Sequence, residues 1–272
     1  MKSSITVIKE QIKYFYLVRR LSLYELKSAN NNNYLGMLWE LLNPAIQISI
    51  YWFVFGIGIR GNRVGEGGMD FFPWMLSGIV IWFMFNQGLI QASKSIYTKI
   101  KILSKMNFPM SVIPSYVIFS KFYPHLLLLV LVSVILTILG FPINIYYLQL
   151  PIYMGAVLAL LYALSLIMST LSTIVRDVQM FLQSVLRMLL YLSPILWDVN
   201  QLGEELAWLK VIMKINPFYY IVEGYRTSLL GQGWYFIDEW QYTLYFVGVV
   251  AVLFIIGSAL HVKFRRHFID FL

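Results

Sequence analysis

GMLWELLNPAIQISIYWFVFGIGI, residues 36 to 59, is the stretch whose reading decides the fold. It is long and apolar enough to cross a bilayer core, which takes roughly 20 helical residues. It is not uniformly apolar. Glu40, Asn43, Gln47 and Tyr51 step by three, four and four, so they share one narrow face of a helix. Unpaired polar groups in hydrocarbon are costly, so this stripe must face other helices or a pathway. A polar seam used only for helix packing and a lining for a polar substrate both fit this helix alone.

The rest of the chain places that helix in a membrane. Of 272 residues, 59% are hydrophobic and 12% charged. A soluble domain carries about 25% charged residues. A spanning barrel would show short alternating strands, which are not seen. The chain therefore reads as an all-α, polytopic membrane protein. It has no cysteine, which excludes disulfides and Cys-based metal sites. The formal charge of +8 does not point to nucleic acid, because the basic residues sit in short segments beside the spans, where they meet lipid headgroups.

Residues 1–35 lack the uninterrupted apolar core of a cleavable signal peptide. Ile5, Ile8, Ile12 and Phe15 recur at helical spacing among Lys9, Lys13, Arg19 and Arg20, the pattern of a cytoplasmic amphipathic helix lying in the membrane interface. Residues 36–272 then form the transmembrane domain. Six spans are expected, at about 37–59, 71–92, 112–139, 150–173, 178–197 and 241–262. Between 198 and 240 lie two short apolar patches, split by Asn216-Pro217, that read as re-entrant or interfacial. The segments assigned to one side hold 14 Lys and Arg, and those assigned to the other hold 5. The positive-inside rule then places both termini in the cytoplasm. No inverted repeat of the secondary-transporter kind is visible.

The fifth span repeats the pattern of the first. Gln183, Arg187, Tyr191, Pro194 and Asp198 fall in one sector of a helical wheel, with Trp197 beside them. An intramembrane arginine marks a pathway or a buried pair. Arg187 paired with a carboxylate such as Glu40 is the plain alternative to a path for a bulky anionic substrate. Aromatic faces hold sugar rings without demanding one hydrogen-bond pattern. The interfacial belt explains Trp74 and Trp240 well and mid-span Tyr51 less well. The small residues Gly155, Ala159 and Ala163, four apart, read as helix packing.

The basic connector with Lys94, Lys99, Lys101 and Lys105 reads either as lipid contact or as a short cytoplasmic helix, Ser95 to Lys105, that docks on another protein. Enzymatic signals are poor. His125, His261 and His267 are scattered, and no phosphate loop G-x-x-x-x-G-K-[ST] occurs. No cofactor is expected in this chain.

The motifs carry a resemblance. Gly36-x-x-Trp39 with Pro44 and Phe55-Gly56 resembles the first span of ABC-2 type permeases that export polysaccharides. Phe72 to Trp82 with Gly78, Phe108-Pro109 before Pro114, Arg176-Asp177 with Ser193-Pro194-Ile195, and Asn216-Pro217-Phe218 with Arg226 are similar to later parts of that family, in the same order. Each motif is weak alone; the ordered set, over nearly the whole chain, is specific. Within the family, residues 9–44 look closest to the teichoic-acid translocation branch of Gram-positive bacteria.

The resemblance implies a homodimer of six-span subunits in the plasma membrane, paired with two copies of a separate ABC ATPase that binds ATP and Mg. It implies that spans 1 and 5 line the channel, that residues 95–105 include the coupling helix, and that 198–230 form re-entrant helices at the outer mouth. The substrate would be a polyprenyl-diphosphate-linked wall teichoic acid, a lipid-linked anionic glycopolymer. The alternatives are an exporter of another lipid-linked glycan, such as capsule or O-antigen, and a membrane enzyme of lipid or glycan assembly. The last would need a cluster of acids or histidines near a leaflet.

Overall fold

The computed structural model describes residues 2–31, 34–59, 63–64, 69–103, 108–198 and 207–268. Among these the protein is helical, apart from a two-residue ribbon in which Arg63–Val64 pairs antiparallel with Met69–Asp70. Five helical segments are long and apolar enough to cross a membrane. The expected sixth, at 178–197, falls short.

Two amphipathic helices open the chain, α1 (Lys2–Lys13) and α2 (Phe15–Asn30). The expected single interfacial helix is interrupted at Tyr14, whose backbone leaves helical values (φ −106°, ψ 16°). Ile5, Ile8, Ile12 and Phe15 stay exposed, while Val7 is buried. The inner face of α1 is held by polar contacts. Gln11 donates to Tyr162 Oη (2.7 Å) and to the Ser111 carbonyl (3.1 Å). Glu10 accepts from Ser111 Oγ (2.5 Å) and pairs with Arg265 (2.7 Å), near the far end of the sequence.

The first span begins as α3 (Trp39–Tyr51) and continues as a π-helix, Trp52–Ile59. Then α4 (Phe71–Leu103) runs 33 residues without a break. No proline or glycine interrupts it between Gln91 and Leu103, and its lysines are unbranched helix formers. The expected separate helix at 95–105 is thus, as far as Leu103, the last turns of α4. The packing order follows from burial. In α4, 78% of the most apolar stretch is buried, against 17% in the first span, so α4 is the axis and α3 the periphery.

Around α4 stand α5 (Val112–Ile138), α6 (Leu150–Ile174) and α7 (Asp177–Leu192). The sixteen residues of α7 reach about 24 Å, short of a bilayer core of about 30 Å. The helix stops because Pro194 disfavours helical backbone at the residue before it; Ser193 is extended (φ −83°, ψ 151°). Next come α8 (Ala207–Ile215) and α9 (Pro217–Leu230). Asn216 caps α9 by accepting from the Phe218 amide (3.0 Å), with Pro217 in the first turn. A short turn, α10 (Tyr235–Asp238), leads into the last span, α11 (Trp240–Phe264).

Hydrocarbon is no worse a solvent for leucine than a protein core, so close packing and polar ties must hold such helices together. Gly224 shows how close: a Cβ there would lie 2.1 Å from the Tyr153 ring, so α9 lies against α6 only because the side chain is missing.

Candidate transport pathway and its supports

On α3, Asn43 and Gln47 are exposed and Tyr51 is half-buried. On α7, Leu182, Leu186 and Leu190 pack inward, so the opposite face carries Arg187 and Tyr191 outward, with Gln183 at its edge. Tyr51 and Tyr191 lie close enough to interact electrostatically. Arg187 donates to Ser184 Oγ on its own helix (3.2 Å), and among the described residues no carboxylate pairs with it. Trp197 folds back on the end of α7, donating from Nε1 to the Tyr191 carbonyl (2.7 Å). The subunit leaves uncovered the faces that hydrocarbon would penalise most.

Glu40 does not belong to that surface in the same way. It pairs with Lys121 of α5 at 3.0 Å, each side chain 14% exposed. The alternative of an Arg187–Glu40 pair is therefore corrected. Gln87 of α4 and His125 of α5 line the small cleft beside this pair, and His125 Nε2 meets Tyr225 Oη at 2.9 Å. The sequence reading passed over Lys121. The signal was present, because it is the one charged residue in α5, and an intramembrane charge demands a partner.

At the C-terminal end of α4, Ser95 is buried and bonds its own helix at Ala92 (2.7 Å). Lys99 points at α2, where it pairs with Glu25 (2.6 Å), and it lies 4.8 Å from the centre of the Tyr116 ring. Both side chains are engaged within the protein. The side chain of Lys101 and the whole of Lys105 lie outside the described residues. Tyr97, which the sequence reading did not single out, donates its hydroxyl to Gln179 Oε1 on α7.

At the other end of α4 sits a buried guanidinium. Arg226 of α9 is 3% exposed. It pairs with Glu223 one turn earlier (2.5 Å), donates from Nη2 to the Pro194 carbonyl (2.8 Å), and stands 3.8 Å from the centre of the Trp74 ring. Gly78 makes room for it, since a Cβ there would lie 2.7 Å from Nη2. Asn216 adds a second tie, donating to Ser193 Oγ (3.3 Å). Resemblance alone had drawn attention to Arg226. A charge inside the apolar run 218–230 was the physical signal.

The profile of the family described as "ABC-2 type transporter" matches residues 16–230. The chain is 24% identical to the O-antigen export system permease protein RfbA of Myxococcus xanthus, over 82% of this chain and 83% of the relative. Two proteins of that name from Klebsiella pneumoniae are 23% and 24% identical, each over 91% of this chain and 92% of the relative. With the exposed stripes and the membrane-spanning helices, these matches lead to one conclusion: the chain belongs to the ABC-2 type transporter family and is the membrane subunit of a transporter.

Proposed function

We propose that this protein is the permease subunit of an ATP-driven exporter that moves a lipid-linked anionic glycan across the plasma membrane. The observation that carries the reading is the uncovered polar-aromatic face that each of α3 and α7 presents, with Asn43, Gln47, Arg187 and Tyr191 exposed. A second copy of the chain facing it would enclose Asn43, Gln47, Tyr51, Gln183, Arg187 and Tyr191 in a wet path. Arg187 attracts the diphosphate or polymer phosphates, and the tyrosines give sugar rings a wall to slide along. Two copies of an ABC ATPase, holding ATP and Mg, dock on the cytoplasmic side near the end of α4, where Lys101 and Lys105 supply positive charge. Both termini lie in the cytoplasm.

The relatives' names favour an O-antigen-type glycan. A wall teichoic acid in a Gram-positive bacterium is the second reading, favoured by the N-terminal resemblance and by a cation suited to a phosphate-rich polymer. The test is reconstitution with the ATPase subunit, comparing ATP hydrolysis stimulated by polyprenyl-diphosphate-linked O-antigen and by lipid-linked teichoic acid. Arg187→Ala should assemble normally and lose about tenfold or more of the stimulated rate. Arg187→Lys should keep part of it, because a point charge still attracts phosphate without the bidentate fork. Full stimulation in a stably assembled Arg187→Ala complex removes the reading.

A further inference from the structure

The short helix that carries Arg187 is tied to α4 directly at its first end and, at its second, through Arg226 of α9. In its first turn, Gln179 accepts the hydroxyl of Tyr97. Just past its last turn, the Pro194 carbonyl accepts from Arg226, whose guanidinium lies over Trp74 and in the space that Gly78 leaves. Tyr97, Trp74 and Gly78 all stand on α4, one unbroken helix. Trp74 and Tyr97 lie about 35 Å apart along that one helix, and their side chains and that of Arg226 reach the two ends of α7. Between them α7 presents only its leucine face to the protein. Leucine packs nearly as well against lipid as against protein, so the polar ties at the ends add to packing in deciding where α7 sits.

We propose that Tyr97 and Arg226 are positioning residues that make α7 follow α4. Displacement of the cytoplasmic end of α4 then carries Gln183, Arg187 and Tyr191 with it as one body. The inference rests on the reading that the end of α4 receives the ATPase and that α7 lines the path.

The chain has no cysteine, so a single thiol reports cleanly. Met188→Cys places it on the exposed face of α7. A charged methanethiosulfonate reacts with that thiol only where water reaches it. In the permease–ATPase complex in proteoliposomes, the labelling rate should change about fivefold between the nucleotide-free state and ATP with vanadate. Adding Tyr97→Phe or Gln179→Leu should shrink the change below about twofold, with the same amount of ATPase subunit bound. The double variant should be no worse than either single one, as expected for one shared contact. Gln179→Glu should restore the response, because a carboxylate accepts the same bond. Arg226→Lys should weaken the response from the outer end, since it keeps the charge and loses the fork.

A full response in both Tyr97→Phe and Gln179→Leu overturns the proposal, as does a parent whose labelling ignores nucleotide. A full response in Arg226→Lys overturns its outer half. The docking reading fails separately, if Lys101→Glu with Lys105→Glu leaves both ATPase binding and the labelling response intact.

Discussion

Lys121 and Glu40 decide how the first span is held. On either side of their ion pair lie apolar clefts, one of about 450 Å³ lined by Leu42, Ile48, Trp52 and Leu131 among others, the other of about 300 Å³ lined by Leu26, Leu38 and Leu127. Ile48 and Trp52 also pack on the core, and the pair is the ionic part of the attachment of α3. Removing one partner of a buried pair leaves an uncompensated charge, at a cost of about 3–5 kcal/mol. Lys121→Met should therefore lower stability by about 3 kcal/mol in detergent denaturation, and adding Glu40→Gln should recover most of it. An unchanged midpoint in Lys121→Met would show that Glu40 has another strong partner. A helical wheel could read the face on which Glu40 stands. It could not name the neighbour, because the wheel gives angle but not which helix lies opposite or at what depth. That is why Arg187 was a plausible partner on paper and Lys121 is the one in space.

Among the elements, α7 and α9 depend most on particular residues. Gly224→Ala on α9 drives a methyl into the Tyr153 ring and should cost about 1–3 kcal/mol, as overpacking does. The thermal midpoint of the purified protein would report it. Tyr153→Leu should relieve the loss in the double variant, and Tyr153→Phe should not, because the clash is with the ring. The lengths of elements were legible only where the chain punctuates itself. Pro194 was visible in the sequence, yet the apolar residues Ile195, Leu196 and Trp197 after it invited a longer span. Past residue 92 the opposite happened. Lysines suggested a connector, while the backbone had no reason to stop being helical and α4 ran on to Leu103.

The molecule as a whole was the most legible level, because lipid imposes a simple rule. Apolar runs long enough to span, with unpaired backbone forbidden between them, leave a helical bundle as the outcome. The distribution of basic residues makes the orientation testable. With single cysteines at Lys2, Gly65, Lys101 and Gly203, an impermeant maleimide added from outside should mark only Gly65 and Gly203. Outside labelling at position 101 would reverse the assignment. The route across the membrane was less legible, since one chain shows only the two uncovered faces of α3 and α7.

The ion pair between Glu10 and Arg265 joins α1 to the turn that follows α11. Ribosomes make α1 before α11, so the docking site of α1, begun at Ser111 and Tyr162, is complete only once α11 is made. Its exposed isoleucines let it rest on the leaflet in the meantime. Closing so long a loop is entropically slow and comes after the local helix pairs have formed. A chain cut short of Lys263 should therefore leave α1 open to protease, while a chain that keeps Arg265 protects it.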